Sequence, residues 1–369
     1  MKKAITLLLT CGLLLLGTAC SSLLEREYLQ ITDHREQTAE SDDATTLRAE
    51  SYAELVGGAQ YFVSMGMDTG TVRLYQYTGD IQRAVDRACE AVLQDDPLGC
   101  YALRDVQCHY TRIVSYYECV FTYQYCRTMD QIAAIQTLSG KGDFREKTAK
   151  TLEQFQRRLT LKSNGYYQSE QAVRQEFWDV FYDTPQAAVA KPELTVSLYP
   201  DHGAARVIAL ELRWPATQQE LREQAEAVSH AAEQLTVDLE GEPLTKTWAL
   251  YTRLAEQTRW SRNSADSVYH ALVEGTANSE GVAMAYELLC DRMGIECQIV
   301  RGSKGGQTHC WNLVTIEEQN WHLDVTAEEG KYRFLRSDEE LADQGYQWER
   351  EDYPTCTLEA AIAARNTVF

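Results

Sequence analysis

At 369 residues, with 44% hydrophobic and 24% charged side chains, the chain has the length of about two to three domains and the composition of a folded globular protein, which excludes wholesale disorder and a multi-span membrane protein. Its 55 acidic against 35 basic residues give a formal charge of -20. Such a surface repels a phosphate backbone, so nucleic acid is not an expected partner. The acidity serves solubility, and it would equally attract cationic peptides or divalent cations. No EF-hand loop or His/Cys zinc spacing gives a metal its ligands.

Lys2 and Lys3 make a short basic start, Ile5 to Leu16 an apolar run, and Gly17-Thr18-Ala19-Cys20-Ser21 a small-residue cleavage site. Residues 1–20 therefore read as a secretion signal, its apolar run too short to span a bilayer. The cysteine directly after the small residues resembles a bacterial lipobox, although Gly17 stands where that motif prefers Leu or Val. The resemblance implies lipidation of Cys20, whose diacylglycerol and N-acyl chains give two-chain anchoring to the outer face of the cell membrane. Plain signal cleavage is the alternative, and it leaves Cys20 without a role. Residues 21–50 are polar and read as a tether.

Of 11 cysteines, setting aside Cys11 in the signal and Cys20 at the lipid site leaves an odd number, so at least one thiol stays unpaired. Cys108 and Cys119 lie on successive strand-like runs and either face each other or are buried free thiols.

Two stretches match at a constant offset of 89 residues, which predicts two α+β repeats over 51–145 and 146–238. The first has a helical pattern (Ile81, Val85, Ala88, Val92), then strand runs around Ala102 to Tyr110 and Tyr116 to Tyr125. The second has Ala172, Val173, Phe177 and Val180, then strands Leu194 to Tyr199 and Val207 to Trp214. Thr128 with Gln131 and Thr217 with Glu220 form capping boxes at the same offset. Each copy thus reads as helix, hairpin, helix. No chemistry is evident in either: scattered acids such as Asp86, Asp95 and Glu170 fit solvated helix faces, and the many tyrosines fit strand packing better than a carbohydrate platform.

From 239 to 369 the pattern changes. Ala271-Leu272-Val273-Glu274-Gly275 leads into an apolar helix that begins at Asn278 or Ser279 and continues Glu280-Gly281-Val282-Ala283. Gly294-Ile295 opens a strand, and two more strands carry His309-Cys310-Trp311-Asn312 and Trp321-His322-Leu323-Asp324-Val325-Thr326. These motifs, in this order, resemble the bacterial transglutaminase-like superfamily, whose helix starts Cys-Glu-Gly-Tyr-Ala and whose strands carry His-Ala-Trp-Asn and Trp-x-x-Asp-x-Thr. The resemblance implies an α+β fold of papain-like design. It places Ser279 at the nucleophile position, His309 at the general base and Asp324 at the group that orients it, with peptide or isopeptide bonds as substrates and neither metal nor organic cofactor. This chain departs from the family at Ser279, where a cysteine is usual, and at Val282, where a tyrosine is.

A helix N-terminus suits a thiolate because free amides and the helix dipole stabilise negative charge. A thiol ionises near pKa about 8.5, whereas an alcohol must lose its proton to a positioned base during attack. Cys290 sits three turns along the helix, and Cys310 should point away from His309 across its strand, so neither replaces the missing thiol. Each residue also has a purely structural reading: Ser279 as a helix cap, His309 and Asp324 as a pair holding two strands in register, Trp311 and Trp321 as core. His322 is expected to face away from the site.

Two functions stand against each other, with a purely structural spacer on the cell surface as a third. One is a lipid-anchored extracytoplasmic protein with a catalytically degenerate domain that binds a peptide, protein or cell-wall component. The other is an amide or acyl hydrolase or transferase using Ser279, His309 and Asp324.

Overall fold

The computed structural model describes residues 44–326 and 332–368. The expected signal, most of the tether and the proposed lipid site Cys20 lie outside them. The described chain forms two compact units, one of residues up to Val92 with Asp105–Gln124, the other of Leu93–Arg104 with everything from Tyr125 onward. Among the described residues no helix is long and apolar enough to cross a membrane.

The first unit is built on β1 (Thr46–Ala49), α1 (Tyr52–Ser64), β2 (Thr69–Tyr75), α2 (Ile81–Gln94), β3 (Leu103–Ile113) and β4 (Tyr116–Tyr125). Its sheet runs β1-β2-β4-β3, with β1 parallel to β2 and β4 antiparallel to β2. Strand β2 alternates buried Val72 and Leu74 with more exposed neighbours, the period-2 pattern of a sheet packed on one face. Gly70 gives way to Phe62 of α1, whose ring would lie 2.2 Å from an added Cβ. Cys108 and Cys119 are free thiols on the paired strands β3 and β4. A hydrogen bond between their side chains, then burial, raises the Cys108 thiol well above its usual range.

In the second unit, β5 (Gln136–Thr137), α3 (Lys141–Glu153), β6 (Arg158–Asn164), α4 (Glu170–Tyr182), β7 (Glu193–Tyr199) and β8 (Ala205–Arg213) make a sheet of order β5-β6-β8-β7 with the same pattern of parallel and antiparallel pairs. The register Tyr75↔Tyr116 in the first sheet has its counterpart in Asn164↔Ala205. Each sheet holds more than the expected helix, hairpin and helix, because a strand-helix-strand precedes the hairpin. The entering strands β1 and β5 span only four and two residues, too few for an alternating pattern to be read. Both capping boxes are formed, by Thr128 with Gln131 and by Thr217 with Glu220.

The same unit continues through α5 (Gln218–Thr236), α6 (Pro243–Gln257), β9 (Arg259–Trp260), α7 (Val268–Leu272), β10 (Thr276–Ala277) and α8 (Ser279–Arg292). It then adds β11 (Glu296–Lys304), β12 (Gln307–Ile316), β13 (Gln319–Asp324), β14 (Arg333–Arg336), α9 (Asp338–Ala342), β15 (Tyr346–Gln347) and α10 (Leu358–Val368). The late strands form an antiparallel sheet, β14-β13-β12-β11-β15. One apolar cluster runs from Leu138 and Phe144 through Phe177 and Leu254 to Leu289, Leu323 and Ala364. The boundary expected at 238/239 therefore falls in a turn between two helices, and the core passes through it without a break.

Helix α8 is the axis of this core, buried at every position from Gly281 to Cys290. It is pinned at its start by Gly281, where a Cβ would meet the Ser267 carbonyl oxygen at 2.9 Å and the Ser267 nitrogen at 3.0 Å. Backbone atoms cannot yield as a flexible side chain does. Gly281→Ala is expected to destabilise the fold by about 1–3 kcal/mol through overpacking, seen as a lower thermal midpoint by calorimetry; an unchanged midpoint would show that helix and loop can separate freely.

Candidate active site

Asn278 caps α8, its side-chain oxygen accepting the amides of Glu280 (3.0 Å) and Gly281 (3.1 Å). Ser279 is therefore the first helical residue and not the cap. The Ser279 amide has no acceptor among the described residues, and free amides of this kind at a helix start can stabilise an oxyanion. Its hydroxyl accepts the Cys310 amide of β12 at 3.3 Å. Asn312, two residues further along β12, donates to the Ala283 carbonyl at 2.9 Å and locks strand to helix.

His309 and Asp324 are brought together on β12 and β13, with Nε2 of the imidazole 3.0 Å from Oδ2 of the carboxylate. Both are buried, at 5% and 1% exposure. With Nε2 donating to Asp324, the tautomer leaves Nδ1 as the basic nitrogen. No hydrogen bond joins His309 to the Ser279 hydroxyl among the described residues.

Asp324 is the most heavily committed group of the site. Its carboxylate accepts from His309, from the Thr326 hydroxyl at 2.6 Å and amide at 3.0 Å, from Lys304 at 3.4 Å and from the Tyr346 hydroxyl. Burial pushes its pKa upward, but the hydrogen bond and charge of His309, with Lys304 and Thr326, outweigh burial and hold it well below the usual carboxylate range. Tyr346 also sets its ring edge against His309 at 5.7 Å. Nothing in the local pattern around Gly345-Tyr346 signals this role, because it depends on β15 pairing with the far end of β11.

His322 does not face away. It stands two residues before Asp324 on the same strand and so shares its face, a signal that strand alternation did offer. Trp311 stacks on His309 at 6.2 Å and donates its indole N–H to Nδ1 of His322 at 3.1 Å. The Nε2 atom of His322 lies 2.9 Å from Asp338, which also accepts the Cys356 amide at 3.2 Å. The ligand atoms of His322, Asp338 and Cys356 fall within 4.8 Å of one another. This donor set does not suit a metal: the Trp311 N–H occupies Nδ1 and so leaves the proton on Nε2, while burial raises the Cys356 thiol far above the range in which it becomes thiolate. The group is a hydrogen-bonded support beneath the Trp311 and His309 stack. Trp311 and Trp321 are both core residues, at 1% and 3% exposure.

Neither neighbouring cysteine supplies a thiolate. Burial, then the Glu280 carboxylate, pushes the Cys310 thiol up to about 12. Cys290 is fully buried within the helix.

The Ser279 hydroxyl opens on a cleft of about 830 Å³ whose wall includes Trp260, Arg262, Lys304, His309 and Arg333. Trp260, Arg262 and Arg333 escaped sequence reasoning, since they come from β9, the loop after it and β14.

Because Asp324 has its pKa depressed by folding, its ionisation stabilises the native state fully above about pH 4, and that stabilisation is lost as pH falls further toward the folded value. Asp324→Asn is expected to cost about 1–3 kcal/mol near neutrality by leaving buried donors unsatisfied. The difference from wild type should narrow below about pH 4, as chemical denaturation across pH would reveal; a constant difference down to acid pH would refute the assigned charge state.

The model of the transglutaminase-like superfamily matches residues 230–324, which contain Ser279, His309 and Asp324. A search of curated proteins found no match. Similar solved structures include a transglutaminase (10% identity, 64% of this chain and 66% of that one, TM-score 0.28) and a candidate cysteine protease from Cytophaga hutchinsonii (10% identity, 42% and 65%, TM-score 0.26). A candidate protease from Parabacteroides distasonis is also similar (7% identity, 70% and 43%, TM-score 0.23). This chain spans just under two thirds of the first two and less than half of the third, and likenesses of that size carry no argument about activity. The motif order, the buried histidine and aspartate and the family match agree on one conclusion: the chain carries a transglutaminase-like domain.

Proposed function

We propose that this protein is a lipid-anchored extracytoplasmic protein whose transglutaminase-like domain is a binding module, holding a peptide, protein or cell-wall component in the cleft beside Ser279, with little or no acyl chemistry of its own. The observation that carries this reading is the state of the Ser279 hydroxyl. It takes an amide hydrogen from Cys310 at 3.3 Å and makes no hydrogen bond to His309 among the described residues, while the cleft beside it stays open. An alcohol without a base in contact is a poor nucleophile, where a thiol in the same place would already be partly ionised. The two sheets of like topology upstream are read as copies of one module that carries this domain away from the membrane.

A second reading is favoured by the buried His309 and Asp324 pair and by the uncommitted Ser279 amide. In it the Ser279 oxygen attacks a carbonyl carbon as its proton passes to Nδ1 of His309, the oxyanion rests on the Ser279 amide, and the amine leaves with that proton. Water or a second amine then takes the acyl group from the serine.

A fluorophosphonate probe separates the two. The binding reading expects no covalent labelling of Ser279 by mass spectrometry, and it expects Ser279→Cys to gain iodoacetamide reactivity that His309→Ala lowers by about tenfold or more. Labelling of wild-type Ser279 that vanishes in His309→Ala would replace the binding module with a serine enzyme. For the anchor, Cys20→Ala should move the protein from the membrane fraction to the soluble fraction of a bacterial host; a protein equally membrane-bound without Cys20 would sink the lipid site.

A further inference from the structure

We infer that the cleft beside Ser279 is built for an anionic ligand, a peptide bearing side-chain carboxylates, even though the protein as a whole carries a charge of -20. The inference rests on the binding reading above and names the class of ligand. Among the described residues, the lysine, arginine and carboxylate side chains in the cleft wall are Arg262, Glu280, Lys304 and Arg333. Glu280, the acid among them, is already neutralised: its carboxylate lies 2.5 Å from the Lys191 ammonium and accepts the Tyr182 hydroxyl at 2.6 Å. Lys304 is paired in turn with Asp324 at 3.4 Å. Lys191 is shared with Asp266 at 3.9 Å, and among the described charged side chains of the cleft wall these pairings leave the guanidinium groups of Arg262 and Arg333.

Neither arginine has an ion-pair partner among the described residues. Arg333 spends its Nε on the neutral amide oxygen of Gln344 at 3.0 Å, which supplies no countercharge. Arg262 is exposed in the loop that follows Trp260, itself 39% exposed at the rim. Planar guanidinium groups with free N–H edges suit carboxylates, which they can bind in a bidentate fashion. The contrast with the rest of the surface matters. Long-range attraction on a protein of this charge would bring in cations, so a preference for an acidic peptide has to come from local groups within about 8–10 Å, the screening length at ordinary salt.

The test uses the full chain and fluorescence anisotropy with three rhodamine-labelled peptides of equal length: tetraglutamate, tetraglutamine and tetralysine. Tetraglutamate should bind about tenfold tighter than tetraglutamine, and the preference should shrink as salt rises from 50 to 500 mM (roughly a threefold shorter screening length). Arg262→Gln and Arg333→Gln should each weaken tetraglutamate several-fold and leave tetraglutamine, and the thermal midpoint, unchanged. Tetraglutamine or tetralysine binding as tightly as tetraglutamate would overturn the inference while the cleft remained a peptide site. Failure of all three peptides to bind would overturn it together with the binding reading.

Discussion

Helix α8 is enclosed along ten consecutive residues, Gly281 to Cys290, and a helix buried on every side can present its unpaired backbone groups only at its ends. Everything at the site follows from where that N-terminus emerges. Asn278 caps two of its amides and leaves that of Ser279, Gly281 lets it sit against the backbone at Ser267, and Asn312 ties it to the strand carrying His309. The position of Ser279 is thus fixed by packing more than by chemistry.

The imidazole is held with comparable thoroughness. Asp324 takes its Nε2, Trp311 stacks on its face, Tyr346 closes its edge, and the pair of His322 and Asp338 holds Trp311 from behind. A structural pair needed only to keep two strands in register would not require so many buried polar partners, each of which must be satisfied to avoid a penalty. The arrangement holds a directed imidazole at the wall of an open cleft. Such a group can hold a ligand carbonyl or hydroxyl as readily as it can move a proton.

Serine at the helix start changes what that frame does first. A thiolate would be stabilised by the same free amides and dipole before any substrate arrived. The alcohol stays protonated and accepts an amide from β12, so the site at rest is a polar recess with cationic groups at its wall. Two acids beside the cleft, Glu280 and Asp324, already serve Lys191, Lys304 and His309.

By itself the sequence determined the residues whose identity is bound to a local rule. The motif order placed Ser279, His309 and Asp324, and the spacing of a hydroxyl from a Gln or Glu placed the caps at Thr128 and Thr217; His322 was misplaced, although alternation along β13 puts it on the face of Asp324. Tertiary structure alone decided what came from several elements at once: Asn278 rather than Ser279 as cap, the core running across 238/239, Tyr346 reaching Asp324 from β15, and Arg262 and Arg333 meeting in one cleft. The physical reason is range. Caps and strand faces are set by neighbours within a turn or a few residues, whereas a cleft and its charge are set by side chains that approach only after the sheets and α8 have packed.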